Sequence, residues 1–324
     1  MKRSLILFIL GLGLGLWAGN FDSQGQTKEN ENYMDSLASK IGDIKEEIIK
    51  IQENYYVIIP YGIAGNIGVF IGETGVILVD DQWSVLSRRI KELISTITSK
   101  PIKTIINTHY HFDHTHGNLT FGPEGISIIS HNNARTRMSE RQVIPTYRNV
   151  VQKPYPAEAL PTITFTDKSE LHEGTETIEL VHFKEAHTDG DIIIHFKNAD
   201  IYHTGDVFVN IGGWLPHIDE KAGGSIYGVI DATNKLLSQT SETTKFIPGH
   251  GPVATRKEMQ EYRNLLTSVR DNVVKLYREK TKLEDIIKDT LVKTHYEKEG
   301  GEKFIAQVYR DVGKRENPSG STRK

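Results

Sequence analysis

The run His109-Tyr110-His111-Phe112-Asp113-His114 constrains this chain more than any other feature, because it concentrates three imidazoles and a carboxylate in six residues. Neutral imidazole and carboxylate are the usual ligands of a catalytic zinc that keeps one position open to water. His109 and His111, two positions apart, can reach one cation, while Asp113 and His114 can turn to a second beside it. A lone H-x-H is equally compatible with a solvated loop, but the full H-x-H-x-D-H run is not. The segment from Ile102 to Asn107 is short, apolar and β-branched, and reads as a buried strand. The histidines therefore fall where a strand enters a loop, a place that carries chemistry on a rigid base.

Three later segments continue the pattern: Glu185-Ala186-His187-Thr188-Asp189-Gly190-Asp191, then His203-Thr204-Gly205-Asp206, then Pro248-Gly249-His250-Gly251. In this order the motifs resemble those of the metallo-β-lactamase superfamily, over roughly residues 50 to 255. The strand and helix pattern alone supports a mixed α and β class. The resemblance implies the α+β, four-layer αβ/βα sandwich of that family. It also implies two Zn2+ per chain, with His109, His111 and His187 on one and Asp113, His114 and His250 on the other. Asp206 matches a carboxylate that bridges both ions in glyoxalase-like members, where many lactamases use a cysteine. Two such cations, about 3.5–4 Å apart, share a hydroxide formed near neutral pH. Asp113 is the catalytic candidate, orienting that nucleophile and passing its proton to the leaving group.

The remaining polar residues divide between support and structure. Asp80 is expected to hydrogen-bond the metal loop from behind, and Asp81, next to it on a strand, to face outward. His116 reads as a helix-start residue and Asn118 as a brace of the same loop; His182, His195 and His203 read as structural strand histidines. Thr188 and Gly190 suit a tight turn presenting His187, and Gly249 and Gly251 do the same for His250. Trp214 and His217 either line a substrate pocket or fill a surface loop.

Lys2-Arg3 followed by an apolar run from Leu5 to Trp17 has the shape of a secretory signal, here 1–20. It is short for a membrane span, so a periplasmic or secreted protein without stable membrane insertion after cleavage is expected, with an uncleaved anchor as the alternative. Residues 21–50 read as a polar segment, 51–255 as the metal-binding domain, 256–314 as helices packed on it and 315–324 as a disordered tail. Within the first half, Trp83, Leu86, Ile90, Leu93 and Ile97 predict an amphipathic helix, and 137–161 a loop or irregular excursion. Thr255-x-x-Glu258 and Thr281-x-x-Glu284 both match a capping box.

The chain has no cysteine, which excludes disulfides, thiolate ligands and a lipid anchor on cysteine. Its 39 basic and 42 acidic residues give a net charge of −3, so nucleic acid is not an expected partner. The expected function is that of an exported dinuclear zinc hydrolase attacking a lactam, lactone or thioester carbonyl of a small molecule. A β-lactamase proper, an iron-dependent sulfur dioxygenase and a metal-stabilised binding protein are the alternatives. Oligomeric state is not legible.

Overall fold

A computed structural model describes residues 44–60, 64–144, 150–211, 215–294 and 300–317. The expected signal segment 1–20 and Trp214 lie outside these described residues. Strands β1 (Glu46–Gln52), β2 (Tyr55–Pro60), β3 (Ile67–Ile71), β4 (Val76–Val79), β5 (Ile102–Ile106) and β6 (Ser127–His131) lie side by side in chain order. A short hairpin of β7 (Gln142–Ile144) and β8 (Val150–Gln152) follows, before β9 (Ile163–Phe165) closes the seven-stranded sheet beside β6. The second sheet has five strands: β10 (Lys168–Glu173), β11 (Glu176–Phe183), β12 (Asp191–Phe196), β13 (Ile201–His203) and β14 (Lys245–Ile247). The chain thus completes one sheet before starting the other.

Helices of the first half are α1 (Ser87–Ser95), α2 (Phe112–Thr115), α3 (Asn118–Phe121) and α4 (Asn132–Met138). Those of the second are α5 (Ile226–Gln239), α6 (Arg256–Arg278), α7 (Leu283–Thr294) and α8 (Gly301–Glu316). No described helix is long and apolar enough to cross a membrane.

Side chains alternate across a strand, and the strands use both faces. On β4, Val76 and Leu78 join Trp83, Leu86 and Ile90 in the core under α1, whereas Ile77 and Val79 face the other sheet. On β12, Ile192 and Ile194 meet that inter-sheet core, and Ile193 packs with α5 and the C-terminal helices. Three apolar layers between four layers of structure result, which is the expected αβ/βα sandwich. Each fully buried aliphatic side chain contributes about 1.5–3 kcal/mol relative to exposure, so the inter-sheet core holds the two halves firmly together.

Several boundaries differ from expectation. The polar segment contains β1, an edge strand whose half-buried Ile48 and Ile51 touch different cores. Residues 137–161 hold the end of α4, the β7–β8 hairpin and a 3-10 turn at Ala157–Ala159. Elements of three residues are too short to show a period. Thr255 and Glu258 form the capping box of α6. Helix α7 starts at Leu283, so Lys282 rather than Thr281 precedes it, after the left-handed Lys280 at φ 60°. Helix α8 continues through Glu316 into the expected tail, and Arg315 lies over the Tyr227 ring at 4.1 Å.

Candidate metal centre

Strands β4 and β5 are parallel neighbours, as are β13 and β14, so within each sheet the loops leaving these strands emerge at one end. Asp80 leaves β4, the His109–His114 run leaves β5, and His187 lies between β11 and β12. Asp206 follows β13 in a 3-10 turn and His250 follows β14. A hydrogen bond from Ile192 N to Thr108 O (2.8 Å) joins the sheets beside the run. All seven sequence-predicted residues meet at this seam.

They form two groups. One oxygen or nitrogen from each of His109, His111, His187 and Asp206 lies within 4.8 Å of the others, and the same holds for Asp113, His114 and His250. Asp206 lies between the groups: Oδ2 is 3.7 Å from His187 Nε2, and Oδ1 is 3.1 Å from His114 Nε2 and 3.5 Å from His250 Nε2. Asp113 Oδ2 is 3.3 Å from His250 Nε2. The cluster is buried except on one side, where His250 retains 11% and Asp206 6% of side-chain exposure.

The surrounding hydrogen bonds assign the tautomers. Asp80 Oδ2 accepts from His114 Nδ1 (2.8 Å) and from Thr108 Oγ1 (2.8 Å), while Oδ1 accepts from Thr108 N (2.7 Å). With its proton given to Asp80, Thr108 Oγ1 accepts from His109 Nδ1 at 3.0 Å. His187 Nδ1 donates to His217 O (2.5 Å), and His111 Nε2 to Asp219 Oδ2 (3.1 Å). The lone pairs of His109 Nε2, His111 Nδ1, His187 Nε2 and His114 Nε2 then all point inward. His111 Nδ1 and His187 Nε2 are 2.9 Å apart, and His114 Nε2 and His250 Nε2 are 3.3 Å apart. His109 Nε2 is buried with no hydrogen-bond partner. At the His111–His187 pair acceptor faces acceptor, which is repulsive unless a proton or cation lies between. With the unpartnered His109 Nε2 beside it, and Asp113 and Asp206 beside His114 and His250, this donor set fits divalent cations.

Electrostatics differ between the groups. Burial holds His109 well below the usual imidazole range, helped by His114, His187 and His111. Burial also lowers His111, against the pull of Asp219. For His114 burial acts downward, but Asp206, Asp113 and Asp80 reverse it and hold the ring well above its usual value. His250 likewise rises to about 9: burial opposes the rise, and Asp206 and Asp113 drive it. Asp206 is held well below the usual carboxylate range, with burial overcome by His250 and His114. The carboxylates of the second group thus favour positive charge at His114 and His250, the balance that a cation would supply.

Glycine permits the closest approach here. A Cβ on Gly249 would stand 1.9 Å from Asp206 Oδ1, and Gly251 has φ +95°. The other sequence expectations resolve individually. Asp80 supports the run from behind, as expected. Asp81 is fully buried instead of outward-facing. Asp80 has φ 65°, which ends the strand alternation and turns both carboxylates inward. His116 Nδ1 accepts from Ser84 N (3.2 Å) at the turn leading into α1, and Asn118 Nδ2 donates to Asn107 Oδ1 (2.9 Å). His182 stacks on His131 at 3.7 Å and His195 on Tyr202 at 3.8 Å, both away from the seam groups. His203 is buried and its Nδ1 accepts from Gly205 N. The His217 ring stands 5.8 Å from His111 and 5.6 Å from His187.

Sequence reasoning missed Asp219, which accepts from both His111 and Tyr110 (2.5 Å from the phenol). It also missed Asp191, which accepts from Thr188 N and Thr188 Oγ1 and so holds the His187 turn. Asp191 was visible in the E-A-H-T-D-G-D segment. Asp219 has no local motif to mark it.

A family profile described as the metallo-beta-lactamase superfamily matches residues 60–250. A probable metallo-hydrolase of Methanocaldococcus jannaschii is 26% identical over 204 residues, which are 60% of this chain and 92% of that protein. The 2,4-dinitroanisole O-demethylase subunit alpha of a Nocardioides species is 26% identical over 203 residues; the match takes 58% of this chain but spans only about half (53%) of that relative. A metallo-beta-lactamase structure from Pontibacter korlensis aligns with 69% of this chain and 99% of its own at TM-score 0.57 and 16% identity. A double mutant of the sec-alkyl sulfatase PisA1 aligns with 86% of this chain and 52% of its own at TM-score 0.61 and 12% identity. With the profile covering more than half of the sequence and the sandwich and its clustered histidines matching that fold, the chain belongs to the metallo-beta-lactamase superfamily.

Proposed function

We propose that the protein is an exported dinuclear zinc hydrolase acting on a small-molecule carbonyl compound, a lactone or thioester before a β-lactam. Superfamily membership supports a hydrolase with small-molecule substrates. The observation that carries the finer reading is the convergence of inward lone pairs into two groups that share Asp206. His109, His111 and His187 would hold one ion and Asp113, His114 and His250 the other, with Asp206 between. When bound, such a pair lowers the pKa of water to about 7 and polarises a carbonyl oxygen.

The chain's own groups would do the rest. The exposed side at His250 and Asp206 admits the substrate, and the His217 ring lines the approach on the His111 side. Asp113, buried beside His250, orients the attacking water and carries its proton to the leaving group. Asp206 places a hard, two-oxygen carboxylate between both groups where cysteine-using lactamases have a soft thiolate, and so offsets positive charge on both sides of the site. A lactam nitrogen leaves only if its developing charge is stabilised. An ester or thioester leaving group depends on that less.

Elemental analysis of protein purified without chelator should find two zinc equivalents per chain. A hydrolysis panel on the same preparation should cover β-lactams, lactones and thioesters, with an activated aryl ether added because of the demethylase relative. Greater kcat/KM on lactones or thioesters is expected. One iron with no zinc would overturn the dinuclear zinc reading, and β-lactam turnover near 10⁶ M⁻¹s⁻¹ with esters untouched would overturn the substrate preference.

A further inference from the structure

The last helix lies outside the span that the family profile matches, yet it reaches the loop behind the first histidine group. Residues 217–219 support that group three times. The His217 carbonyl accepts from His187 Nδ1, Asp219 N donates to His187 O (2.9 Å), and Asp219 Oδ2 accepts from His111 Nε2. Two of the three imidazoles thus take their orientation from one short segment.

Helix α8 grips that segment on both sides of Asp219. Gln307 Nε2 donates to Ile218 O (3.1 Å), and the Arg310 guanidinium pairs with Glu220 (Nε to Oε2, 3.1 Å; Nη2 to Oε2, 2.5 Å). The next residue, buried Asp311, accepts from Ser225 Oγ (2.7 Å) and Ile226 N (2.9 Å), at the start of α5. Phe304, Ile305, Val308 and Val312 anchor the helix in the core that it shares with α5 and α6. The partly exposed Arg310–Glu220 pair is weak alone, but the helix behind it is fixed by packing.

We propose that α8 is a clamp that sets the affinity of the His109/His111/His187 group for its metal ion, acting through Asp219. The proposal rests on the metal-binding reading given above. Asp219 determines which His111 nitrogen carries the proton. With Oδ2 accepting at Nε2, the lone pair on Nδ1 is free for the ion. Outer partners of this kind typically change metal affinity about 10–100-fold. Gln307 and Arg310 are positioning residues: they hold the Ile218 carbonyl and the Glu220 side chain, on either side of Asp219, and lie outside the ligand groups.

The test uses the full chain and zinc itself, titrated against a chromogenic chelator, with thermal unfolding of the metal-free protein as the structural control. Asp219→Asn separates two roles. Asp219 Oδ1 accepts from Lys221 N and Ala222 N (both 3.1 Å), and the amide oxygen of Asn preserves those bonds. Its nitrogen then faces His111 Nε2–H, donor against donor, while the Tyr110 hydroxyl, which donated to Oδ2, turns to accept from the amide. One of the two zinc equivalents should bind roughly 10–100-fold more weakly, with little change in metal-free unfolding. Gln307→Ala/Arg310→Ala should weaken the same equivalent several-fold. Combined with Asp219→Asn it should add less than its separate effect, because the His111 contact is already lost and only the hold on His187 remains to be loosened. Lys303→Ala, on the exposed side of the helix, should bind as wild type. Unchanged zinc affinity in Asp219→Asn, or full additivity in the combined variant, would overturn the clamp while leaving the hydrolase reading intact. A wild-type chain that binds no zinc would overturn both.

Discussion

Asp80 offers the sharpest test of how the site is held. Its fully buried carboxylate accepts from Thr108 N, Thr108 Oγ1 and His114 Nδ1 at 2.7–2.8 Å. Asp80→Ala strands three donors. Thr108 Oγ1 still accepts from His109 Nδ1, but Thr108 N–H, Thr108 Oγ1–H and His114 Nδ1–H lose their acceptor. Each unpaired buried donor costs about 1–3 kcal/mol. Ala at φ 65° adds roughly 1 kcal/mol, because Asp tolerates the left-handed region better. Asp80 also raises the pKa of buried Asp81, after the larger effect of burial, so removing its charge returns part of this cost. A net loss of about 4–5 kcal/mol is expected, a sizeable part of a typical 5–15 kcal/mol domain stability. Urea unfolding at pH 7 with chelator present, extrapolated to water, measures it. Asp80→Asn should behave differently. The amide oxygen keeps Thr108 N–H, but the amide nitrogen opposes His114 Nδ1–H and drives the ring to its other tautomer. Stability should fall by only about 1 kcal/mol, while zinc at the second group weakens roughly 10–100-fold. A loss below about 1 kcal/mol in Asp80→Ala would refute the hydrogen-bond reasoning.

Other outcomes follow from residues already described. Asp113→Ala should lower kcat on any true substrate by about 10²-fold or more with the fold retained; unchanged turnover in steady-state assays would remove it from the mechanism. Burial pushes the Glu46 carboxyl up to about 7, against the lowering influence of Arg89 and Gln82. A raised carboxylate pKa means that the folded state holds the proton more tightly, so stability falls as pH climbs from 4.5 to about 7. Glu46→Gln should therefore match wild type near pH 4 and exceed it at pH 8 by about 1–2 kcal/mol after solvent screening; equal gains at both pH values in urea titrations would contradict this. For export, mass spectrometry of protein from a native-like host should find an N-terminus between about residues 18 and 27, and intact Met1 in the soluble cytoplasmic fraction would count against it.

The metal-binding candidates were legible because each sits in a short motif directly after an apolar strand. His109 to His114, His187, Asp206 and His250 all combine a turn or glycine with a ligand-type residue. The sandwich itself came from the family resemblance, since alternating strands and helices define only a class. What stayed hidden depends on contacts across the chain. Asp219 is recognised only by its hydrogen bond to His111, 108 positions away in sequence. Asp81 was misread because strand alternation was carried one residue past β4, where the left-handed Asp80 stops it. The β7–β8 hairpin, with three residues per strand, and the edge strand β1 bury too little to leave a pattern. Helix α8 was expected as one of several outer helices, and nothing in its sequence shows that it touches the loop behind His187.

The chain finishes its first sheet at Phe165 and begins its second at Lys168. His109, His111, Asp113 and His114 belong to the earlier stretch, and His187, Asp206 and His250 to the later one. During synthesis, the first stretch leaves the ribosome with half a binding site. The other half arrives only when the second sheet docks on Val57, Val79 and Ile106. On the proposed metal-binding reading, metal capture is a late event that reports sheet docking. An ion held by both halves acts as a non-covalent crosslink between them, worth about 2.7 kcal/mol at a free concentration one hundred times its Kd. In a protein without cysteine, this seam is where such a crosslink can form.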